Sequence, residues 1–385
     1  MVTRHIDTQS NQPLSLYFHF PFCKKKCPYC HFFVLSHAQQ KEELFLKSLE
    51  IEWGLKQSLM QNKKIVSLYF GGGTPTLCVK GIVCVLKWAK HLLDRNAEIT
   101  VEANPEDITP LLINRLLEIG VNRLSIGVQS LEDSLLRILG RTHTSQKAID
   151  ALYIAERQGL SNLSIDLMYE LPSQTLAMWN NTLKQIRDLP ITHLSLYNLT
   201  IEPNTLFDRK RSIIKPQLPS EEEGVAMLTR ACDLFHKKGL QRYEISAFAK
   251  KGSLSIHNTG YWIGRPFLGF GPSAFSYLNG IRSRNAAHFN HYIKKLEDKQ
   301  LPVDFEEKLP YPANVHELLM LHLRLIAGVN LEEFETNLGP LPLTAYHLLR
   351  KLDDQGLISY QKPHVALTEK GRLFYDYVAE ELILI

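Results

Sequence analysis

The chain has 385 residues, 44% of them hydrophobic and 22% charged, a balance suited to one large folded domain with an appended module and unlike that of disordered or fibrous chains. Its net charge of +4 is small and its cationic residues are scattered, so composition gives no independent case for nucleic acid or membrane binding, and nucleic acid is not an expected partner. Six cysteines, with Cys78, Cys84 and Cys232 dispersed, do not make a disulfide framework, and no apolar run approaches the roughly 20 residues needed to cross a bilayer. Residues 1–22 carry no apolar core or small-residue cleavage site of a secretory leader, so the expected location is the cytoplasm, with peripheral contact the remaining route to a membrane.

The first predicted element is a strand over Leu14–Phe20. It runs into a loop that holds Cys23, Cys27 and Cys30 in C-x3-C-x2-C spacing. Three soft thiolates on a short loop suit three irons of a [4Fe–4S] cube and leave the fourth iron open for chemistry. Other chemistries fit fragments of this loop. Cys27 to His31 spells C-x-x-C-H, the spacing of covalent haem attachment, which would want an exported chain. Cys27 and Cys30 alone resemble a dithiol redox pair, a reading that leaves Cys23 unexplained. Zinc on three thiolates and His31 would strain the adjacent Cys30 and His31 as joint tetrahedral ligands. Lys24, Lys25 and Lys26 are either a solvated loop tip or a positive field that favours thiolates and an anionic redox partner.

Helical spacing over Glu43–Leu59 precedes a strand at Ile65–Phe70 that opens into Gly71-Gly72-Gly73-Thr74-Pro75. Glycines there permit positive φ and close backbone approach to a ligand, or simply a tight strand-to-helix turn with Pro75 at the helix start. Strands Glu98–Glu102, Arg123–Gly127, Asn162–Leu167 and His193–Leu199 then alternate with helices Leu111–Ile119, Ser145–Gln158 and Met178–Arg187. Six such units joined by right-handed crossovers predict an α/β fold, a partial (β/α)6 barrel whose chemistry lies at the C-terminal strand ends. The cysteine loop, Glu102, Gln129, Arg141 and Asp166 mostly fall at or soon after those ends, which favours one shared pocket.

Farther on, His257-Asn258-Thr259-Gly260-Tyr261-Trp262 offers an imidazole and two flat aromatic faces, or a packed aromatic turn. Pro302, Pro310 and Pro312 mark a linker over 301–312, which separates a barrel with its extension (1–300) from a C-terminal module (313–385). Helical runs at Val315–Ile326, Leu331–Leu338 and Leu343–Gln355, a strand at Val365–Leu367 and a helix over Thr368–Glu381 suggest a small winged-helix-like α+β module. Without an arginine-rich recognition helix, capping or substrate covering is the expected task, not DNA binding.

Taken together, these motifs resemble radical S-adenosylmethionine (SAM) proteins of the oxygen-independent coproporphyrinogen oxidase group, and the match spans nearly the whole chain. The resemblance implies that Cys23, Cys27 and Cys30 bind a [4Fe–4S] cluster. It further implies that SAM chelates the open iron and is lined by Tyr17, Tyr29, Gly72, Gly73, Thr74, Glu102, Gln129, Arg141 and Asp166. Reductive cleavage of SAM would give a 5′-deoxyadenosyl radical, with flavodoxin or ferredoxin as a suitable low-potential donor. Within the group, oxidases carry a cysteine two residues after the third ligand and a longer N-terminal segment; here Phe32 fills that place and only 22 residues precede Cys23. His257, Tyr261 and Trp262 match the H-N-x-x-Y-W motif of the haem-chaperone branch. The implied task is haem binding and delivery to respiratory haemoproteins, with the oxidase activity as its rival. Two positions depart from the group: Glu170 stands where glycine is usual, with an expected effect on the pocket floor, and Phe275 stands where histidine is usual.

Overall fold

The computed structural model describes residues 12–384; residues 1–11, part of the stretch searched for a leader, lie outside it. Strand β1 (Pro13–Phe20) sends Leu14, Leu16, Phe18 and Phe20 into the main core with Phe45, Leu49 and Trp53 of the helix Gln39–Lys56. The intervening Ser15, Tyr17 and His19 face the other way, because successive strand side chains alternate. A short parallel pair, β2 (Phe22–Cys23) and β3 (Leu35–Ser36), brackets the cysteine loop. Next come β4 (Lys64–Gly72), β5 (Leu93–Ala103), β6 (Arg123–Gln129), β7 (Leu163–Tyr169) and β8 (His193–Asn198). With β1 they form six consecutive parallel neighbours, β1-β4-β5-β6-β7-β8. The helices Pro110–Glu118, Ser145–Arg157 and Leu176–Arg187 each start on a threonine, Thr109, Thr144 and Thr175, whose hydroxyl accepts a first-turn N–H.

Alternation makes this partial barrel apolar outside and polar inside. Ile99, Val101, Leu124, Ile126, Ile165, Leu167 and Leu194 join the helix-covered core. Thr100, Glu102, Ser125, Ser164, Asp166 and Ser195 occupy the opposite parity. A closed barrel would fill its interior with branched apolar side chains; this interior is lined for a polar ligand.

The sheet extends beyond the six expected strands. Past β8 lie the antiparallel β9 (Gln241–Glu244) and β10 (Ala247–Ala249). Beside β1 lies the parallel β11 (Phe267–Phe270), followed by the antiparallel β12 (Phe275–Leu278), β13 (Ile281–Asn285) and β14 (Val303–Glu307). The whole sheet has 12 strands in the order β14-β13-β12-β11-β1-β4-β5-β6-β7-β8-β10-β9. The segment 301–312, expected to be a linker, therefore contains an edge strand. Its register pairs Arg282 with Glu307, and Arg284 reaches Asp304 at 3.1 Å, so charge pairing across strands replaces the apolar run that sequence reading looks for. The extension is anchored by Glu52, fully buried, which accepts from Lys56 Nζ (2.6 Å), Gly271 N–H (2.8 Å), Asn285 Nδ2 (2.6 Å) and the Tyr292 hydroxyl (2.7 Å).

A second core built on Leu319, Phe334, Leu349, Val365 and Leu382 defines the C-terminal module. Its helices are Ala313–His322, Leu331–Leu338 and Leu343–Asp354, and its sheet joins β15 (Val329–Asn330), β16 (Ile358–Gln361) and β17 (His364–Leu367) in the order β15-β17-β16. The first helix is shorter than expected: it ends at His322, and the Ile326 N–H turns to Tyr243 O on β9. The last helix is two, Glu369–Leu373 and Tyr375–Ile383, broken at Phe374 so that Tyr375, Val378 and Leu382 face the core.

Candidate functional site

A cavity of about 520 Å³ opens at the C-terminal ends of the six parallel strands. Cys23, Cys27 and Cys30 line it, together with Tyr29, Gly72, Gly73, Thr74, Glu102, Gln129, Arg141 and Asp166. The cysteine loop is held by a ring of hydrogen bonds. Thr74 Oγ1 donates to Cys23 Sγ (3.6 Å), Asn104 Nδ2 donates to Thr74 Oγ1 (3.0 Å), and Arg141 Nη2 donates to Asn104 Oδ1 (2.6 Å). Arg141 Nη1 then reaches Cys27 Sγ at 3.7 Å, and Nη2 also bonds Gly127 O at 2.8 Å. Burial raises the Cys23 and Cys30 thiols; the Thr74 hydrogen bond opposes this at Cys23, and Arg141 opposes it at both. Of the lysine run, Lys24 bonds Asp107 at 2.6 Å and Lys26 Nζ donates to Phe32 O at 3.2 Å, so two of the three shape the loop.

Gly72 and Gly73 are required by shape. Gly72 has φ +102°, and a Cβ there would lie 2.4 Å from His19 Nδ1. A Cβ on Gly73 would lie 2.6 Å from Phe22 O. Their backbone runs so close to β1 and β2 that Gly73 N–H reaches Phe20 O and Thr74 N–H reaches Phe22 O, each at 2.7 Å.

Glu102 accepts from the Tyr69 hydroxyl at 2.8 Å and from Gly72 N–H at 3.2 Å. Burial and the neighbouring Asp166 push it up to about 7, against the pull of those two donors and Arg123. Burial also raises Asp166, opposed by Arg123 and by the Ser195 and Ser125 hydroxyls. At the rim, burial would raise Glu106, but the His143 ring, 3.4 Å away, and a hydrogen bond from Thr142 overcome it and hold that carboxyl down at about 2.

Four expected contacts lie elsewhere. Tyr17 sits a layer deeper, with its ring 6.1 Å from that of Tyr69 and its hydroxyl 3.3 Å from His19 Nδ1. His257, Tyr261 and Trp262 belong to a short helix, Ile256–Trp262, beneath the cavity, and none of them lines it. His257 is 1% exposed; its Nδ1 meets Ser67 Oγ at 3.0 Å and its Nε2 meets the Tyr261 hydroxyl at 2.8 Å. Burial, with Arg265 and Arg123 adding to it, lowers His257 to about 3, so the ring is neutral with both nitrogens engaged. Trp262 packs under Arg324, 4.2 Å from guanidinium carbon to ring centroid. The cause is local: Glu98 accepts the Ile256 and His257 N–H groups at 2.9 and 3.0 Å and draws this helix inside the barrel wall.

Glu170 does not line the cavity either. It adopts φ +58°, the left-handed conformation in which glycine is free of strain, and its carboxylate packs beside Gly224. Phe275 stands on β12, outside the cavity, with Arg284 over its ring at 6.0 Å. The cavity also contains residues that motif reading missed, Asn104, Ser125, Met168 and Tyr197, and it includes His31 and Phe32 of the cysteine loop. None of those missed carries a motif, but Asn104, Met168 and Tyr197 are the next inward-parity positions after Glu102, Asp166 and Ser195.

The residues present suit the two groups the motif implies. Cys23, Cys27 and Cys30 all line the same cavity, the arrangement that a polynuclear cluster held by three thiolates needs. Two carboxylates, one guanidinium and a glycine turn complement the cationic, carboxylate-bearing and hydroxyl-rich parts of SAM.

Comparison with known proteins agrees with this geometry. The Radical SAM superfamily profile matches residues 17–186, and the HemN C-terminal domain profile matches residues 311–374. Coproporphyrinogen III oxidase (HemN) from Escherichia coli shares the fold, with a TM-score of 0.84 at 26% identity over 97% of this chain and 90% of that one. The site and fold thus define a radical SAM protein of the HemN-like group. The heme chaperone HemW of Lactococcus lactis is 33% identical over 97% of this chain and 98% of its own length. That of Bacillus subtilis is 33% identical over 94% and 97%. The chain belongs to the HemW family.

Proposed function

We propose that this protein is a haem chaperone: it holds a [4Fe–4S] cluster on Cys23, Cys27 and Cys30 and SAM against the glycine turn, Glu102, Arg141 and Asp166, and passes haem to respiratory haemoproteins. Flavodoxin or ferredoxin would be the electron donor, and the cytoplasm the place of action. The observation that carries the reading is Phe32 at the cavity wall, 51% exposed, where the oxidases of the group place a further cysteine. An exposed phenylalanine beside a cavity is a face for a flat apolar ligand, not a ligand for iron. The relatives named heme chaperones, matched along nearly the full chain, support the same task. When bound, the cluster and SAM supply reductive carbon–sulfur cleavage; the chain's own part is to orient SAM and to fix the loop through the Thr74–Asn104–Arg141 ring.

Haem iron needs an imidazole nitrogen that is free. His257 would first have to leave Ser67 or Tyr261, whereas His31 is exposed on the cavity wall with its ring centroid 4.5 Å from that of Phe32. We therefore place haem at the cavity mouth, with His31 as the favoured ligand and His257 as the alternative. The test is anaerobic cluster reconstitution with parallel haem-binding spectra and coproporphyrinogen turnover. Stable haem binding without turnover, altered in its Soret band by His31→Ala, is expected. Accumulation of protoporphyrinogen would establish the oxidase reading, which the HemN-like fold favours.

A further inference from the structure

The His257–Trp262 segment has a second reading, carried by contacts that join it to the cavity floor. The His257 ring lies 4.9 Å from the Tyr69 ring and 6.3 Å from the Tyr17 ring, and Tyr17 and Tyr69 stack on each other. Tyr69 in turn donates its hydroxyl to Glu102 at 2.8 Å. His257 cannot shift without breaking a polar network on both sides. Its Nδ1 partner, Ser67, also donates to Ser15 at 2.8 Å, and its Nε2 partner, Tyr261, packs edge-on against Phe267 at 4.7 Å. From the far end, Trp262 is covered by Arg324, which also lies 5.2 Å from the Tyr375 ring and bonds Glu244 at 3.3 Å. One short helix thus touches the C-terminal module through Trp262 and the floor of the cavity through His257.

We propose that His257 and Tyr69 are positioning residues for the SAM site: the helix Ile256–Trp262 is a strut that fixes the Tyr69 hydroxyl, and Tyr69 fixes the Glu102 carboxylate toward the cavity. This proposal rests on the reading that Glu102 receives SAM. It assigns the motif to the cofactor floor and makes it unnecessary as a haem ligand. The strut also explains why His257 is buried at all. A ligand histidine is kept accessible, whereas a histidine with both nitrogens satisfied and both flanks packed serves rigidity.

The groups facing Glu102 are Tyr17 from β1, Tyr69 from β4, Arg123 from β6, Asp166 from β7, Tyr197 from β8 and Tyr261 from the strut. Of these, Tyr69 is the one that hydrogen-bonds its side chain, and that bond favours the charged form. Removing the hydroxyl must therefore move the pH at which SAM binding switches on to higher values.

The experiment measures equilibrium SAM binding to the full-length, anaerobically reconstituted protein between pH 5.5 and 9, with haem-binding spectra in parallel. Tyr69→Phe, which keeps the ring, is expected to weaken SAM binding about tenfold at pH 7 and to raise the midpoint of its pH profile by about one unit. His257→Ala should move the profile the same way, His257→Gln should restore part of the loss, and the haem spectrum should stay unchanged in all three. Glu102→Gln separates this proposal from its premise. If that variant binds SAM as the parent does at every pH, the SAM reading of Glu102 fails. If Glu102→Gln weakens and flattens the profile while Tyr69→Phe and His257→Ala leave it in place, the strut is refuted. Loss of the haem spectrum in His257→Ala with an unmoved SAM profile refutes it as well. Where His257→Ala fails to fold, Tyr69→Phe, which removes a single oxygen, still tests the Tyr69–Glu102 link, and Tyr261→Phe, which frees His257 Nε2, tests the strut: an unmoved SAM profile in Tyr261→Phe refutes it.

Discussion

Substituting Gly72 by alanine should be among the most damaging single-methyl changes in this protein, and the structure divides its effect into two parts. The first is conformational. At φ +102° an L-residue is strained, at about 1–3 kcal/mol. The second is steric, since the new Cβ would sit 2.4 Å from His19 Nδ1 and 2.5 Å from its Cε1. His19 has little room to yield: it is 4% exposed, its Nε2 is 2.8 Å from Phe33 O, and the Tyr17 hydroxyl lies 3.3 Å from Nδ1. Overpacking of that kind adds about 1–3 kcal/mol. Gly120→Ala isolates the first part, because Gly120 has φ +91° and nothing within 4 Å of the added methyl. Urea unfolding of both variants should show Gly72→Ala less stable than Gly120→Ala by about 2 kcal/mol, with unchanged dependence on denaturant. Adding His19→Ala should remove about half of the Gly72→Ala loss while leaving Gly120→Ala unaffected. Equal losses for the two glycines, or no coupling between Gly72 and His19, would refute the steric account.

Lys56→Met leaves the fully buried Glu52 carboxylate without its cation and should destabilise the protein by about 3–5 kcal/mol in chemical denaturation; Glu52→Gln added to it should recover much of that loss. Glu102 has a folded-state pKa above its unfolded value, so its contribution to stability is present in acid and is lost as pH rises through about 7. Thermal melts of the apoprotein should therefore fall less steeply from pH 5 to 7 in Glu102→Gln than in the parent. Arg141→Lys keeps the charge but cannot span Asn104, Gly127 and Cys27 together, and should weaken SAM binding at least tenfold in equilibrium dialysis while leaving haem binding in place.

The parallel barrel and the gathering of the cysteines, Glu102 and Asp166 at one cavity were legible because their signals are local. Apolar alternation announces β1 and β4–β8, the cysteine spacing announces the cluster, and Glu102 and Asp166 follow from their place near strand ends. The extension β11–β14 was not legible. Its strands are short, β13 and β14 are held by Arg282, Arg284, Asp304 and Glu307, and β11 joins the sheet through the sequence-distant β1. Glu52 and Lys56 read from sequence as two charged residues one helical turn apart, and only the fold reveals that they staple the helix Gln39–Lys56 to Gly271, Asn285 and Tyr292. The surroundings of the histidine motif were not legible for a related reason. Sequence shows that an imidazole is present; whether its nitrogens are free depends on Ser67, 190 positions away.

Parity connects these observations. Because side chains alternate, the strands that bury Leu124, Ile126, Ile165 and Leu167 against the helices must turn Ser125, Gly127, Ser164 and Asp166 inward, and the barrel wall becomes a binding surface at no loss to the core. The same rule places Ser67, Tyr69 and Gly71 one above another on β4. Ser67 meets His257 below, Tyr69 meets Glu102 at mid-height, and the glycine turn meets the cavity above. A single strand thus carries the mechanical link between the histidine helix and the floor of the cavity proposed to take SAM. Substitutions along its inward face should therefore move SAM binding together, whereas substitutions of its outward Leu68 and Phe70 should lower stability without changing the pH profile of binding.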